Sequence, residues 1–584
     1  MSSFNATASA FERTADNLDE DLQAAVRNWE AGNFEEWPND AGLQGLTEER
    51  GPIQLRTTGT IPAWAAGSLY RTGPGVYSID IDGTGRSYEV QHWFDGLGQI
   101  HKFEIVADED DSSDSSTSVW YSSRRQCDDF VAQVRAGATQ GFSFAQRQDP
   151  CVGLFGKVMS CFSRKKSTAR NLQVTINPDV GVYPQASEKM PVDSITGHTA
   201  NVKSLWAATD NAFVQQVDPV TLEPSGKYTT LGDLGAEFEI HSSCAHAARD
   251  PENGDYINYG LKFGRPPKYT IFQLREGNDK PQVLAEIQEP GISAAYMHSC
   301  FISPSYFVLC IPSSHMAWNG LKLLWNLNVL DTILPFDESQ KCKWFVIDRH
   351  HGKGVVGRFE TPAGFFFHST NAFEDSNGQL FCEMIEYPNT DILSAFYCNV
   401  VLDKNGSGKS FWKDFAAKNR NLGALRRYRL DMRSARSVNN GGLGPAPKLV
   451  VDIPAPHVGE LPTINPAYAT KQHRYVYGAA NRGLSTMFDG IAKTDTASGS
   501  VLIWSGAQGH TPGEPIFVPN PGARGGDVDE DDGVLLSVVL DGANRKSYLL
   551  CLDARTMQEM GRAECEFAVA FGFHGLHAGK NRRK

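Results

Sequence analysis

The chain reads as an all-β fold built from many short strands. Three observations lead there. From Gly59 almost to the end, short apolar runs alternate with Gly, Pro, Asn and Asp, the punctuation of strands joined by tight turns. A strand–Asp–turn–strand unit recurs at Val217-Asp218, Ile347-Asp348, Leu430-Asp431 and Leu552-Asp553. Asp suits such turns because its carboxylate accepts a backbone N–H two residues on. Repeated hairpins of this kind suggest propeller blades. Finally, helical periodicity is confined to a few short stretches.

Those exceptions set the expected organisation. Residues 1–50 are expected as a polar leader with a helical pattern from Leu22 to Trp29, and 51–584 as one β domain. Two amphipathic segments interrupt the β rhythm, near 151–166 and 320–335. In the second, Leu323, Leu327, Leu330 and Leu334 are spaced to share one helical face. Each segment is either an ordinary packed helix or a patch that lies on a membrane, with Cys151 or Cys161 open to acylation.

Composition narrows the function classes. Hydrophobic residues make up 41% of 584, enough for a large core. The net charge of −13 argues against nucleic acid as main partner, because phosphate binding needs a basic face. The eleven Cys include no C-x-x-C pair, so neither a disulfide framework nor a zinc–thiolate site is expected. The N-terminus has no apolar core of a secretory signal. No run of 18 apolar residues could span a bilayer. The expectation is a cytoplasmic protein, at most peripherally bound to a membrane; the oligomeric state is not readable.

Fifteen His are present, and context separates four. His246 and His298 sit at strand–turn junctions, His368 follows three Phe, and His574 lies in Phe571-Gly-Phe-His574-Gly575. Each is flanked by apolar or small residues, so each is expected to be buried. A buried neutral imidazole suits metal ligation. His92, His198 and His241 are expected to be structural.

These four contexts resemble the iron-binding His motifs of the carotenoid cleavage oxygenase family. Other stretches agree, in family order. They are Gly67-Ser-Leu-Tyr-Arg71-Thr-Gly73-Pro-Gly75, His92-Trp-Phe-Asp95-Gly96, Glu460-Leu-Pro-Thr-Ile-Asn465, Gly513-Glu514-Pro515 and Glu530-Asp531-Asp532-Gly533-Val534. The resemblance runs from about Gly59 to His574. It implies a seven-bladed β-propeller with iron on its axis and a dome of loops and helices over one face. It implies one Fe(II) per chain held by His246, His298, His368 and His574, with O2 as co-substrate. It also pairs Asp210, Glu460 and Glu514 with His298, His368 and His574, leaving His246 without an acidic partner. Glu is usual where Asp210 stands, so a direct bond from the shorter side chain to His298 is not assured.

The reaction implied is oxygen addition across a conjugated double bond and scission to two carbonyl products, with no protein acid/base pair. The substrate is then an apolar polyene in a tunnel. Among fungal members, torulene cleavage is the first expectation and symmetric β-carotene cleavage to retinal the second. Stilbene cleavage is disfavoured, because Thr209 stands where those relatives carry a phenol-binding Lys. A non-catalytic propeller scaffold and an apocarotenoid carrier remain as alternatives. Phe365, Phe366, Phe367 and Trp325 are candidate tunnel residues by proximity to the motifs alone.

Overall fold

The computed structural model describes residues 9–107, 117–138, 141–146, 171, 174–178, 202–230, 235, 238–275, 280–418, 422–437, 442–522 and 529–579. Their strands form a seven-bladed β-propeller. The first blade runs from Thr175–Pro178 through Leu205–Ala208 and Phe213–Val217 to Pro224–Thr230. The third and fourth follow the same outward order, starting at Phe301–Ile302 and Phe365–Glu374. Antiparallel neighbours in chain order are what short turns enforce.

Both faces of a blade are buried, so its strands read as continuous apolar runs and not as alternation. In the third blade Val308, Cys310, Trp344 and Val346 pack toward Met384 and Tyr428 of the fourth. Their sequence neighbours Phe307, Leu309, Phe345 and Ile347 join the main core on the other face. The recurrent Asp units are the outer hairpins of the blades. Asp218 accepts the N–H of Val220, Asp431 that of Arg433, and Asp553 that of Thr556.

The ring closes between the two ends of the chain. Gly575–Gly579 pairs antiparallel with Gly67–Val76 in the seventh blade. Ile53–Gly59 pairs with both Glu559–Glu564 and Thr117–Arg125, tying the sixth and seventh blades into one sheet.

Two expectations change. The polar N-terminal stretch is built into the propeller from Ser9 on. Ser9–Arg13 adds an edge strand to Val501–Ser505. Helix Leu18–Ala31 follows, and its Trp29 stacks on Trp412 with ring centroids 5.4 Å apart. The segment near 320–335 is not one amphipathic helix. It is α-helical only over Leu321–Asn326, breaks at Leu327, whose φ is 54°, and resumes as a single 3-10 turn at Leu330–Thr332. Pairing wins over periodicity there, because the Leu327 carbonyl accepts the Ser143 N–H and Val329 N–H donates to Ser143. Leu323 turns inward, while Trp318, Leu321, Leu324, Trp325 and Leu334 are exposed. The other segment, 151–166 with Cys151 and Cys161, lies outside the described residues, as does His198.

Candidate metal centre and its cavity

Inner strands of neighbouring blades lie against one another: Phe365–Glu374 touches both Phe301–Ile302 and Glu460–Thr463, and Gly575–Gly579 touches both Ile516–Pro519 and Thr175–Pro178. His246, His298, His368 and His574 sit on or beside four such strands, so residues far apart in sequence converge. Their ligand-type nitrogens all lie within 4.8 Å of one another. Polar side chains belt the backbones together. Ser299 Oγ donates to the Phe367 carbonyl at 2.7 Å, and Ser369 N–H donates to Ser299 Oγ at 2.8 Å. Thr175 Oγ1 donates to the Ala245 carbonyl beside His246, and Thr72 N–H donates to the His574 carbonyl.

Three acids orient three of the rings. His368 Nδ1–H donates to Glu460 Oε2 at 2.6 Å, and His574 Nδ1–H to Glu514 Oε1 at 2.7 Å. His298 Nδ1–H donates directly to Asp210 Oδ2 at 2.7 Å, so the shorter side chain reaches after all. The reason is local. Asp210 occupies the turn between Leu205–Ala208 and Phe213–Val217. Ala245 N–H donates to its Oδ1 and Ser242 Oγ to its carbonyl, which draws the turn inward. Among the described residues no carboxylate hydrogen-bonds His246, and its Nε2 is buried with no partner.

Residues given no role by the sequence reading hold these acids. Tyr296 Oη donates to Asp210 Oδ2 at 2.9 Å, and Tyr387 Oη to Glu460 Oε1 at 2.8 Å. Arg71 Nη1 donates to Glu514 Oε2 at 2.6 Å. Arg71 lies inside the motif from Gly67 to Gly75, and Tyr296 stands two residues before His298; Tyr387 has no sequence signal. Burial pushes the Glu514 carboxyl up to about 7, against the pull of Arg71. Burial acts likewise on Glu460, but His368, the Leu461 N–H and Tyr387 together hold it below the ordinary value.

The donor set fits a metal ion. A carboxylate on Nδ1 fixes the proton there and leaves the Nε2 lone pair free. Burial, then the neighbouring imidazoles, push His246 and His574 well below the ordinary histidine value, so both are neutral, as lone-pair donors must be. The orphaned Nε2 of His246 completes the set. Four imidazoles with no carboxylate in direct contact suit a transition metal such as iron.

Beside this cluster lies a cavity of about 400 Å³. Trp93, Phe94, Phe144, Phe367, Phe396 and Phe573 form aromatic walls, and His298, His368 and His574 reach into it. Thr209 also lines it. Of the candidate tunnel residues only Phe367 does so; Phe365 and Phe366 are in the core, and Trp325 is exposed. Asp95 is buried and accepts the N–H groups of Phe144 and Ala145, pinning the segment over the cavity. His92 donates its Nε2–H to the Leu393 carbonyl at 2.9 Å and accepts the Phe94 N–H at Nδ1, and His241 stacks on Phe263; both stay outside the cluster.

Comparison with known proteins gives the same picture. Residues 43–579 match the family described as retinal pigment epithelial membrane protein. A carotenoid dioxygenase of Neurospora crassa is 44% identical, over 98% of this chain and 96% of that protein. A torulene dioxygenase of Gibberella fujikuroi is also 44% identical, over 97% and 98%. Among solved structures, the cobalt-substituted Synechocystis apocarotenoid oxygenase superposes with a TM-score of 0.65 at 23% identity, over 94% of this chain and 99% of that one. That likeness concerns the fold. The chain belongs to the carotenoid cleavage oxygenase family and is a carotenoid-cleaving dioxygenase of the non-haem iron type.

Proposed function

We propose that the substrate is a long hydrocarbon polyene, torulene in first place, cut at one double bond to give aldehyde products. The observation that carries this is the aromatic cavity running up to the histidine cluster. The similarity to torulene dioxygenases over nearly the whole chain supports torulene in particular. Symmetric cleavage of β-carotene is the second reading, supported by a mouse β,β-carotene 15,15'-dioxygenase 27% identical over 91% of this chain. Thr209 offers the cavity no cation for a phenolate, which disfavours a stilbene.

In this reading His246, His298, His368 and His574 hold the iron, and Asp210, Glu460 and Glu514 fix three of the rings. The iron, when bound, activates dioxygen toward the alkene. The chain's own work is then positioning and exclusion of water. Phe367, Phe396 and Phe573 flank the polyene and set which bond lies beside the cluster. No side chain need move a proton, because C=C plus O2 already balances two carbonyls.

Membrane association belongs to the same proposal. Trp318, Leu321, Leu324, Trp325 and Leu334 form an exposed apolar surface, and Leu323 and Leu324 also line the cavity. A polyene dissolved in a bilayer would enter there. No described helix is long and apolar enough to cross a membrane. The test is mass-spectrometric product analysis after incubating iron-loaded protein with torulene or β-carotene in detergent under air. A long apocarotenal from torulene is expected; retinal from β-carotene in preference would move the assignment, and two intact polyenes would overturn it.

A further inference from the structure

A second, smaller cavity of about 60 Å³ lies behind Glu460. Ile385, Ile392, Leu422 and Val458 give it apolar walls, and the stacked Trp29 and Trp412 are part of its lining. It shares Phe396, Phe488 and Glu460 with the main cavity. Small residues leave the space open: Gly423, Gly459 and Ala479 all border it. Ala479 is the cross-strand partner of Glu460, so the hollow begins one residue from the acid that holds His368. Three of the polar side chains at its edge are engaged, whereas the indole N–H groups of Trp29 and Trp412 have no partner among the described residues. Tyr387 donates to Glu460, Asn481 to the Met487 carbonyl, and Thr486 to the Val401 carbonyl.

We propose that this chamber is a dioxygen site that supplies the metal centre. The proposal rests on the dioxygenase reading. Three arguments carry it. The chamber is far too small for a polyene but large enough for a diatomic gas. Its walls are mainly apolar, and apolar hollows favour small apolar guests such as xenon. A polyene that fills the main cavity also obstructs the mouth, so the second reactant needs its own place. Dioxygen held behind Phe396 and Phe488 would meet the substrate from within. The helix Leu18–Ala31 becomes part of this device, because its Trp29 forms part of the wall.

The test has two independent readouts. Crystals of the iron-loaded protein are pressurised with xenon. A xenon peak bounded by Ile392, Leu422 and Val458 is expected. An ordered water bridging the indole N–H groups of Trp29 and Trp412, which are buried with no partner, overturns the proposal if it stands in place of xenon. In solution, Ile392→Phe and, separately, Leu422→Phe narrow the chamber. The expected result is a KM for dioxygen raised at least about threefold, with kcat at saturating dioxygen, the KM for the polyene and iron content unchanged. An unchanged KM for dioxygen in a folded variant whose Phe fills the chamber overturns it. Failure of the wild type to cleave any polyene would instead strike the substrate reading, and the xenon result would still decide whether the chamber takes a gas.

Discussion

The Nε2 atoms of His368 and His574 lie 3.2 Å apart. Both rings carry their proton on the other nitrogen, against Glu460 and Glu514. Two lone pairs therefore face each other across a hydrogen-bond distance, an arrangement relieved by a shared cation. Iron should stabilise the fold by about 3 kcal/mol when present at a hundred times its dissociation constant. Chelation should lower the Tm, and Fe(II) should restore it. Calorimetry with metal analysis checks this, and a Tm indifferent to chelation in protein shown to have lost its iron would contradict it. His574→Ala should also abolish cleavage.

Asp210 offers a separable test of the ligand supports. Asp210→Ala removes the acceptor of the His298 Nδ1–H and of the Ala245 N–H together. Iron affinity should fall about 10–100-fold, the usual effect of losing such a partner. Tyr296→Phe removes one hydrogen bond to the same oxygen and should have a smaller effect. Competitive titration with a chelator measures both, and an Asp210→Ala variant with wild-type affinity would remove Asp210 from the site.

His101 is one contributor to acid sensitivity. It is buried, its Nδ1 lies 2.8 Å from Tyr121 Oη, and its Nε2 has no partner. Burial, aided by Arg71, pushes its pKa from 6.5 down to about 3. The folded state thus binds this proton less readily than the unfolded state. The stability it contributes is fully present above pH 6.5 and is lost as pH falls toward 3. At two pH units below the unfolded pKa the loss is about 3 kcal/mol. Denaturant unfolding of wild type and His101→Gln across that window should show the difference shrinking with acid; parallel curves would refute it.

The exposed apolar surface makes a prediction of its own. Trp318→Ser with Trp325→Ser should cut binding to phospholipid vesicles at least about tenfold, given the apolar area removed. Cleavage of substrate delivered in detergent should stay at the wild-type rate. Flotation assays decide it: undiminished binding would place the membrane contact elsewhere.

The blades were legible because their outer hairpins share one chemistry. Asp218, Asp348, Asp431 and Asp553 each follow an aliphatic residue and each anchors the last turn of a blade. Asp495 does the same work, accepting the Ala497 N–H, but follows Thr494, so the repeat is hidden there. The histidines were legible through their apolar flanks and family motifs. The supports were less so. Whether Asp210 reaches His298 depends on a backbone turn fixed by Ala245 and Ser242, and no local pattern encodes that. The leucines near 320–335 misled for a similar reason: their spacing describes a helix in isolation, while Ser143 offers Leu327 and Val329 a better partner.

His574 directly precedes Gly575–Gly579, the strand that locks onto Gly67–Val76. A nascent chain that has not yet emerged past this point holds at most three of the four imidazoles. Metal capture is therefore a late event, coupled to closure of the ring. A bound iron thus reports that Gly575–Gly579 has docked on Gly67–Val76, and loss of that strand would cost the blade and the metal together.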